Sequence, residues 1–367
     1  MKKILVFRIG HLGDTLVSLP AFWRIRDSFP DAHITLLTNF DPDDPRLLSP
    51  KDVLPESGLF DALMSYPPAE RVLTSGPEII RFLFRLRRQR FDAVFYLPPR
   101  SRTAVQAVRD IRFFKLAGIR KVFGDRTLEA RRLPIQSPPE ASAVISESEY
   151  LLECVSEGIP ELSRESKSEL LITETERKAA FEWLASSVDL AENDLRLIAV
   201  APGSKWESKI WNEKRYSEVV ARLMERVNAF PVVFGGEEDR EKGERLIAKW
   251  GRGANACGKL TVRQSAALIE RCALYLGNDT GTMHLAAAVG TRCVAVFAAI
   301  DLEGRWYPIG EGHRIFRSTV ECQHCHTPDC FNFNKCLELI EVSAVLEACE
   351  SIMSGATKAP ASPVPEA

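Results

Sequence analysis

The chain has 367 residues, 45% of them hydrophobic and 27% charged, which is too long for one ordinary core and fits a globular protein of two α/β domains. A formal net charge of −2 argues against nucleic acid as the main partner. No apolar run approaches the ~18 residues of a membrane span, and the chain opens on a strand without a secretory pattern, so a cytoplasmic location is expected.

Residues 3–9 read as a buried strand, and Gly10-His11-Leu12-Gly13-Asp14 as a tight turn. Thr15 to Phe29 reads as a helix in which Pro20 either kinks the chain or starts the main part. Ile34–Leu37 is the second strand, so the opening has the right-handed strand–helix–strand crossover of a Rossmann-like half. The dinucleotide fingerprint is missing, because Asp14-Thr15-Leu16 follows Gly13 where a third glycine would pack helix on strand. Asp41-Pro42-Asp43-Asp44-Pro45 reads first as a Pro-rich acidic loop. Its alternative is an Asp-x-Asp pair holding a divalent metal on a sugar nucleotide.

Residues 78–90 form a helix with Arg81, Arg85, Arg87, Arg88 and Arg90, and with an apolar side that includes Ile79, Ile80 and Phe82. Either it solvates one face or it is an edge that touches anionic lipid or a phosphorylated acceptor. Phe91–Leu97 is a strand, 104–120 a helix, Lys121–Gly124 a short strand, 134–142 a loop and Glu147–Glu157 a helix. After Pro160 a charged stretch and a helix over Glu174–Ser187 lead to Asp189–Asp194, and then strand–turn–helix order restarts. Leu197–Ala201 and Pro231–Phe234 are strands, and Asn212 is an N-cap for a helix through Arg226. Leu260–Arg271 is a helix, Ala273–Leu276 a strand, and an Ala-rich helix closed by Gly290 leads to a strand over Cys293–Phe297. The expected division is a domain over 1–185, a second over 186–345, and a helix end with a disordered tail over 346–367.

In the second half, polar Gly-bearing loops follow strands at 202–209, 235–238 and 277–284. In a parallel sheet all of them lie on one edge, which suits a nucleotide diphosphate. Lys209 and Ser204 would contact phosphate oxygens, the helix start at Asp279-Thr280-Gly281 would cradle the diphosphate, and Glu237 would take ribose hydroxyls. The plainer alternatives are a solvated Lys209, an N-capping Asp279 and a packed His284. In the first half, Asp14 either caps its helix or accepts a proton from an attacking hydroxyl.

Gly10-x-x-Gly13-Asp14-Thr15-Leu16 with Leu19-Pro20-Ala21, then Pro202-Gly203-Ser204 through Lys209-x-Trp211, then Gly277-x-Asp279-Thr280-Gly281-x-x-His284 resemble one family. It is the ADP-heptose:lipopolysaccharide heptosyltransferases of glycosyltransferase family 9. The segment Ser204-Lys205-Trp206-Glu207 departs from better-known members, where hydroxyl pairs or other residues occur. The resemblance implies GT-B architecture, two Rossmann-like domains facing across a cleft. It implies an inverting, metal-independent transfer from a nucleotide-activated sugar, ADP-heptose first, to a lipopolysaccharide-core or related saccharide acceptor. By that resemblance Asp14 is the base, with Gly10, His11 and Gly13 on the acceptor side. Ser204, Lys209, Glu237, Asp279, Thr280, Gly281 and His284 would bind the donor, and no cofactor is required for catalysis. Peripheral contact with the inner face of the cytoplasmic membrane is a further expectation. The alternatives are a sugar-nucleotide epimerase or hydrolase on the same frame, and a non-catalytic sugar-nucleotide binder.

Of nine cysteines, Cys322, Cys325, Cys330 and Cys336 are clustered, with His324 and His326 between them. They read either as reduced, packed thiols or as a small structural metal knuckle.

Overall fold

A computed structural model describes residues 1–39, 48, 50–54, 58–65, 76–133, 144–160, 167–187 and 196–355. The acidic loop Asp41–Pro45, the loop 134–142, the segment Asp189–Asp194 and the C-terminal tail lie outside the described residues.

The chain divides into two compact units, each built on a parallel sheet. The first unit takes in Met1–Glu174 and Leu302–Ile309, the second Thr175–Asp301 and Gly310–Ala367. Strands β1 (Lys3–Phe7), β2 (His33–Thr38), β3 (Ala62–Ser65), β4 (Ala93–Tyr96) and β5 (Lys121–Phe123) form the first sheet in the order β3-β2-β1-β4-β5. Strands β6 (Arg196–Ala201), β7 (Ala229–Val233), β8 (Ala254–Asn255), β9 (Leu274–Asn278), β10 (Cys293–Phe297) and β11 (Arg314–Arg317) form the second, in the order β11-β10-β9-β6-β7-β8. Each sheet therefore winds outward from its first strand, turns back, and continues on the other side with its fourth, as in Rossmann folds. The fold is α/β, and two such units in one chain are the domains of the GT-B architecture.

The central strands are continuous apolar runs because helices cover both faces of a parallel sheet. Ile4, Leu5, Val6 and Phe7 are all fully buried, and Val6 stands opposite Leu36 on one side and Phe95 on the other. The first-unit helices are α1 (Leu12–Leu16), α2 (Leu19–Ser28), α3 (Pro50–Val53), α4 (Gly76–Gln89), α5 (Ala104–Leu116), α6 (Asp125–Arg131) and α7 (Glu147–Ser156). The long helix expected from Thr15 is broken after Leu16 and restarts at Leu19, because Pro20 has no N–H to give and fits only a first turn. Thr103 and Ser146 close capping boxes at α5 and α7.

The second unit starts with α8 (Glu174–Ser187) and continues with α9 (Glu213–Val227), α10 (Arg240–Trp250), α11 (Val262–Glu270), α12 (Gly281–Ala288), α13 (Lys335–Glu338) and α14 (Val342–Met353). Asn212 caps α9 by accepting the Lys214 N–H at 2.9 Å. The boundary falls at Glu174/Thr175 rather than at 185/186 because α8 is tied into the second unit. Arg177 pairs with Glu270 at 2.7 Å, and Glu176 pairs with the buried Arg263. Among the described residues no helix is long and apolar enough to cross a membrane.

Candidate active site

In a doubly wound sheet the crevice opens at the carboxyl ends of the strands flanking the reversal, here β1/β4 and β6/β9. Both crevices carry residues singled out above, and each is bridged by one buried polar side chain that the sequence did not single out.

In the first unit that side chain is Arg8, directly after β1 and only 1% exposed. Its guanidinium reaches across the reversal to the Leu97 carbonyl at 3.4 Å and to the Asp14 carbonyl at 3.3 Å. It also meets two carboxylates, Asp14 Oδ1 at 3.4 Å and the buried Glu147 at 3.7 Å. Glu147 is met from its other side by Arg305 at 3.4 Å. The result is a buried alternation of charge, Asp14–Arg8–Glu147–Arg305, in which each buried ion has an opposite partner.

Asp14 is the open end of that row, with 23% of its side chain exposed. It does not occupy the N-cap of α1. His11 does, and Asp14, in the first turn, accepts the His11 N–H on Oδ2 at 2.9 Å. Gly10 has a φ of +146°, and a Cβ there would overlap the Asp14 side chain, so only glycine lets the turn close on the carboxylate. The Gly10 N–H donates to Asn39 at 2.6 Å. Gly13 lies inside α1, where its carbonyl accepts the Val17 N–H.

In the second unit the bridge is Asn278, the fully buried last residue of β9. Its Nδ2 donates to the Pro202 and Gly203 carbonyls at 3.1 and 3.3 Å. Its Oδ1 accepts the Trp211 N–H at 3.1 Å and the Tyr216 hydroxyl at 2.7 Å. One amide thus fixes both ends of the 202–211 loop. Lys209 projects from that loop and donates to Asp279 at 2.6 Å, with the Trp206 ring 5.8 Å from its Nζ. Asp279 is therefore an ion-pair partner and not a helix cap. The N-cap of α12 is Thr280, which makes no side-chain capping bond. Thr280 shares a hydrogen bond with Thr282 at 2.8 Å, and Thr282 another with Tyr275 at 3.0 Å. Lys209 and Asp279 thus stand at the first turn of α12, where N–H groups lack helical acceptors and the dipole favours an anion.

The remaining residues fall around this point. Ser204 accepts the Trp206 N–H at 3.2 Å and shapes the loop. His284 is buried one turn inside α12. Glu237 lies after β7, exposed and paired with Arg240 at 2.6 Å. Its neighbour Asp239 is the half-buried acid of that turn: a Cβ on Gly203 or Gly235 would overlap its carboxylate, and partial burial raises its pKa.

All nine cysteines are free thiols, and among the described residues no three His, Cys, Asp or Glu side chains are gathered to hold a metal ion. The four clustered cysteines are half-buried or buried thiols. They act as hydrogen-bond acceptors, Cys330 from the Asn332 and Asn334 N–H groups at 3.4 and 3.2 Å, and Cys336 from Ala299 N–H at 3.5 Å. The loop so folded braces the lysine loop. The Pro328 and Thr327 carbonyls accept the Ser208 N–H and hydroxyl at 3.0 and 2.6 Å, next to Lys209.

The sequence pattern of glycosyltransferase family 9 (heptosyltransferase) matches residues 79–335. Lipopolysaccharide heptosyltransferase 2 of Salmonella typhimurium is 24% identical over 310 residues, spanning 80% of this chain and 82% of its own. The glycosyl transferase family 9 structure from Veillonella parvula superimposes with a TM-score of 0.72 at 19% identity, over 97% of this chain and 98% of that one. The Escherichia coli ADP-heptose lps heptosyltransferase II structure gives 0.70 at 19% identity, over 97% and 99%. These likenesses show a shared fold. Because the family pattern runs through both units, from α4 to the loop that braces Lys209, the chain belongs to glycosyltransferase family 9 and is a glycosyltransferase.

Proposed function

We propose that this glycosyltransferase moves a heptose from ADP-heptose to a saccharide of the lipopolysaccharide core, in one inverting displacement that needs no metal. The observation that carries the donor half is the Lys209–Asp279 pair seated at the first turn of α12. An ammonium has three donors and Asp279 uses one, so Lys209 keeps hydrogens for a diphosphate. As the C1–oxygen bond breaks, negative charge builds on the leaving phosphate and positive character on the sugar. Lys209 and the free N–H groups of α12 take the first, a task that other enzymes give to a divalent metal. Asp14 accepts the proton of the acceptor hydroxyl as its oxygen bonds to C1, and a single displacement inverts that carbon. Ser204, Thr280, Gly281 and His284 line or shape the donor site, Glu237 takes the ribose, and Gly10, His11 and Gly13 border the acceptor.

The relatives' names supply heptose, ADP and lipopolysaccharide. Thermal unfolding with ADP, UDP, GDP and dTDP, on wild type and Asp279→Ala, tests them. At about 100 times its dissociation constant, ADP should stabilise the protein by ~2.7 kcal/mol. The shift should be specific to ADP and lost in the variant. A response to UDP or dTDP instead would discard heptose, and silence for all four nucleotides would overturn the donor site.

A further inference from the structure

On an ordinary surface helix the side away from the core is the most polar. Helix α4 departs from this. Phe82 and Leu86 are buried, yet Ile80 and Phe84, one turn apart and nearly opposite them, are 54% and 60% exposed. Arg81, Arg85 and Arg88 line the same outer side, and among the described residues none of the three has an ion-pair partner. The neighbouring α5 packs on α4 through the stacked rings of Phe82 and Phe113. It repeats the arrangement: Leu116 is 63% exposed, beside the exposed Arg112 and Lys115. Both helices connect strands in the same direction across the sheet, so they lie side by side on one face. A cavity of 540 Å³ opens between their carboxyl ends, walled by Phe84, Arg88 and Gly118 among others.

The charge of the segment that carries both helices is one-sided. From Gly76 to Lys121, twelve lysines and arginines stand against Glu78, Asp92 and Asp110, in a chain whose net charge is −2. Asp110 is buried and already bound by Arg102, Arg109 and Tyr96, while Asp92 is bound by the Lys2 and Lys3 N–H groups.

We infer that the outer side of α4 and α5 docks on an anionic lipid bilayer, with Ile80, Phe84 and Leu116 entering the acyl boundary and the arginines meeting lipid phosphates. A nucleic acid or a free phosphate would be met by the arginines alone and gives no reason for apolar side chains on the outermost ridge. A bilayer offers spread negative charge with an apolar layer below it. This surface is separate from the donor site, and the inference holds whichever sugar is moved.

Co-sedimentation of the full chain with phosphatidylcholine vesicles, with and without phosphatidylglycerol, tests it. Wild type should bind only the anionic vesicles and be released by salt. The variant Arg81→Gln/Arg85→Gln/Arg88→Gln should lose roughly a hundredfold in partitioning. Phe84→Ser should lose roughly tenfold with its salt dependence unchanged. Both variants change exposed side chains, so their ADP-induced thermal shift should equal that of wild type. Vesicle binding without an ADP shift would leave this surface standing and remove the donor reading. Equal binding to neutral vesicles, no binding, variants that bind like wild type, or tighter binding to a mixed-sequence oligonucleotide than to anionic vesicles would each overturn the inference.

Discussion

The two sheets reverse at equivalent places, but the crevices are bridged by different chemistry. At β1/β4 the bridge is the buried cation Arg8, neutralised by Glu147 and by the partly open Asp14. At β6/β9 it is the neutral amide of Asn278, whose hydrogen bonds all stay inside the protein. A charged bracket sets the field beside it, and Asp14 is the partly exposed end of that row. A neutral bracket leaves the local field to others, here Lys209 and the start of α12. In the function proposed above, the first crevice takes the proton and the second the anion.

Exchanging that chemistry should damage each crevice differently. Asp14→Asn keeps the shape and removes the base, so kcat should fall by about 10² to 10⁴ while the ADP thermal shift is unchanged. Loss of the ADP shift in that variant would show that Asp14 serves the donor side as well. Arg8→Met leaves carboxylates facing an apolar side chain and should cost about 3–5 kcal/mol, read from the urea midpoint. Asn278→Leu leaves the Tyr216 hydroxyl and buried carbonyls without partners and should cost about 2–3 kcal/mol. Equal costs for the two variants would erase the distinction between the brackets. Lys209→Met should weaken ADP about tenfold by calorimetry, the worth of one charge-assisted contact.

The smallest effect concerns Asp239. Burial raises its pKa in the folded state, so the ionised carboxylate costs stability above that raised value. The cost fades as pH falls towards the ordinary carboxylate range. Asp239→Asn should therefore raise Tm slightly at neutral pH, with the gain vanishing in acid. A gain that persists in acid would assign it to something other than the charge.

Much of the fold was legible because its strands are unbroken apolar runs and its helices carry explicit caps, as at Asn212 and Gly290. The edge strands β3, β8 and β11 were not, being two to four residues long and carrying little hydrophobic pattern. Asp14 and Lys209 stood out by residue type and spacing. Arg8 did not, since an arginine ending a strand reads as surface and its partners Glu147 and Arg305 are remote in sequence. For Asp279 the sequence offered a donor contact or a cap but not the ion pair, because the lysine that claims it lies 70 positions earlier. Asn278 was hidden inside the motif, a small polar residue whose value lies in four contacts that no spacing reveals.

The return of Leu302–Ile309 to the first unit also sets an order of events during synthesis. Arg305 leaves the ribosome only after nearly all of the second sheet. At ordinary elongation rates that is on the order of ten seconds after the rest of the first unit. Until then Glu147 has Arg8 but lacks its second cation. The nascent first domain must wait, incompletely neutralised, while the second one forms. Expressing residues 1–174 alone would make that interim state permanent.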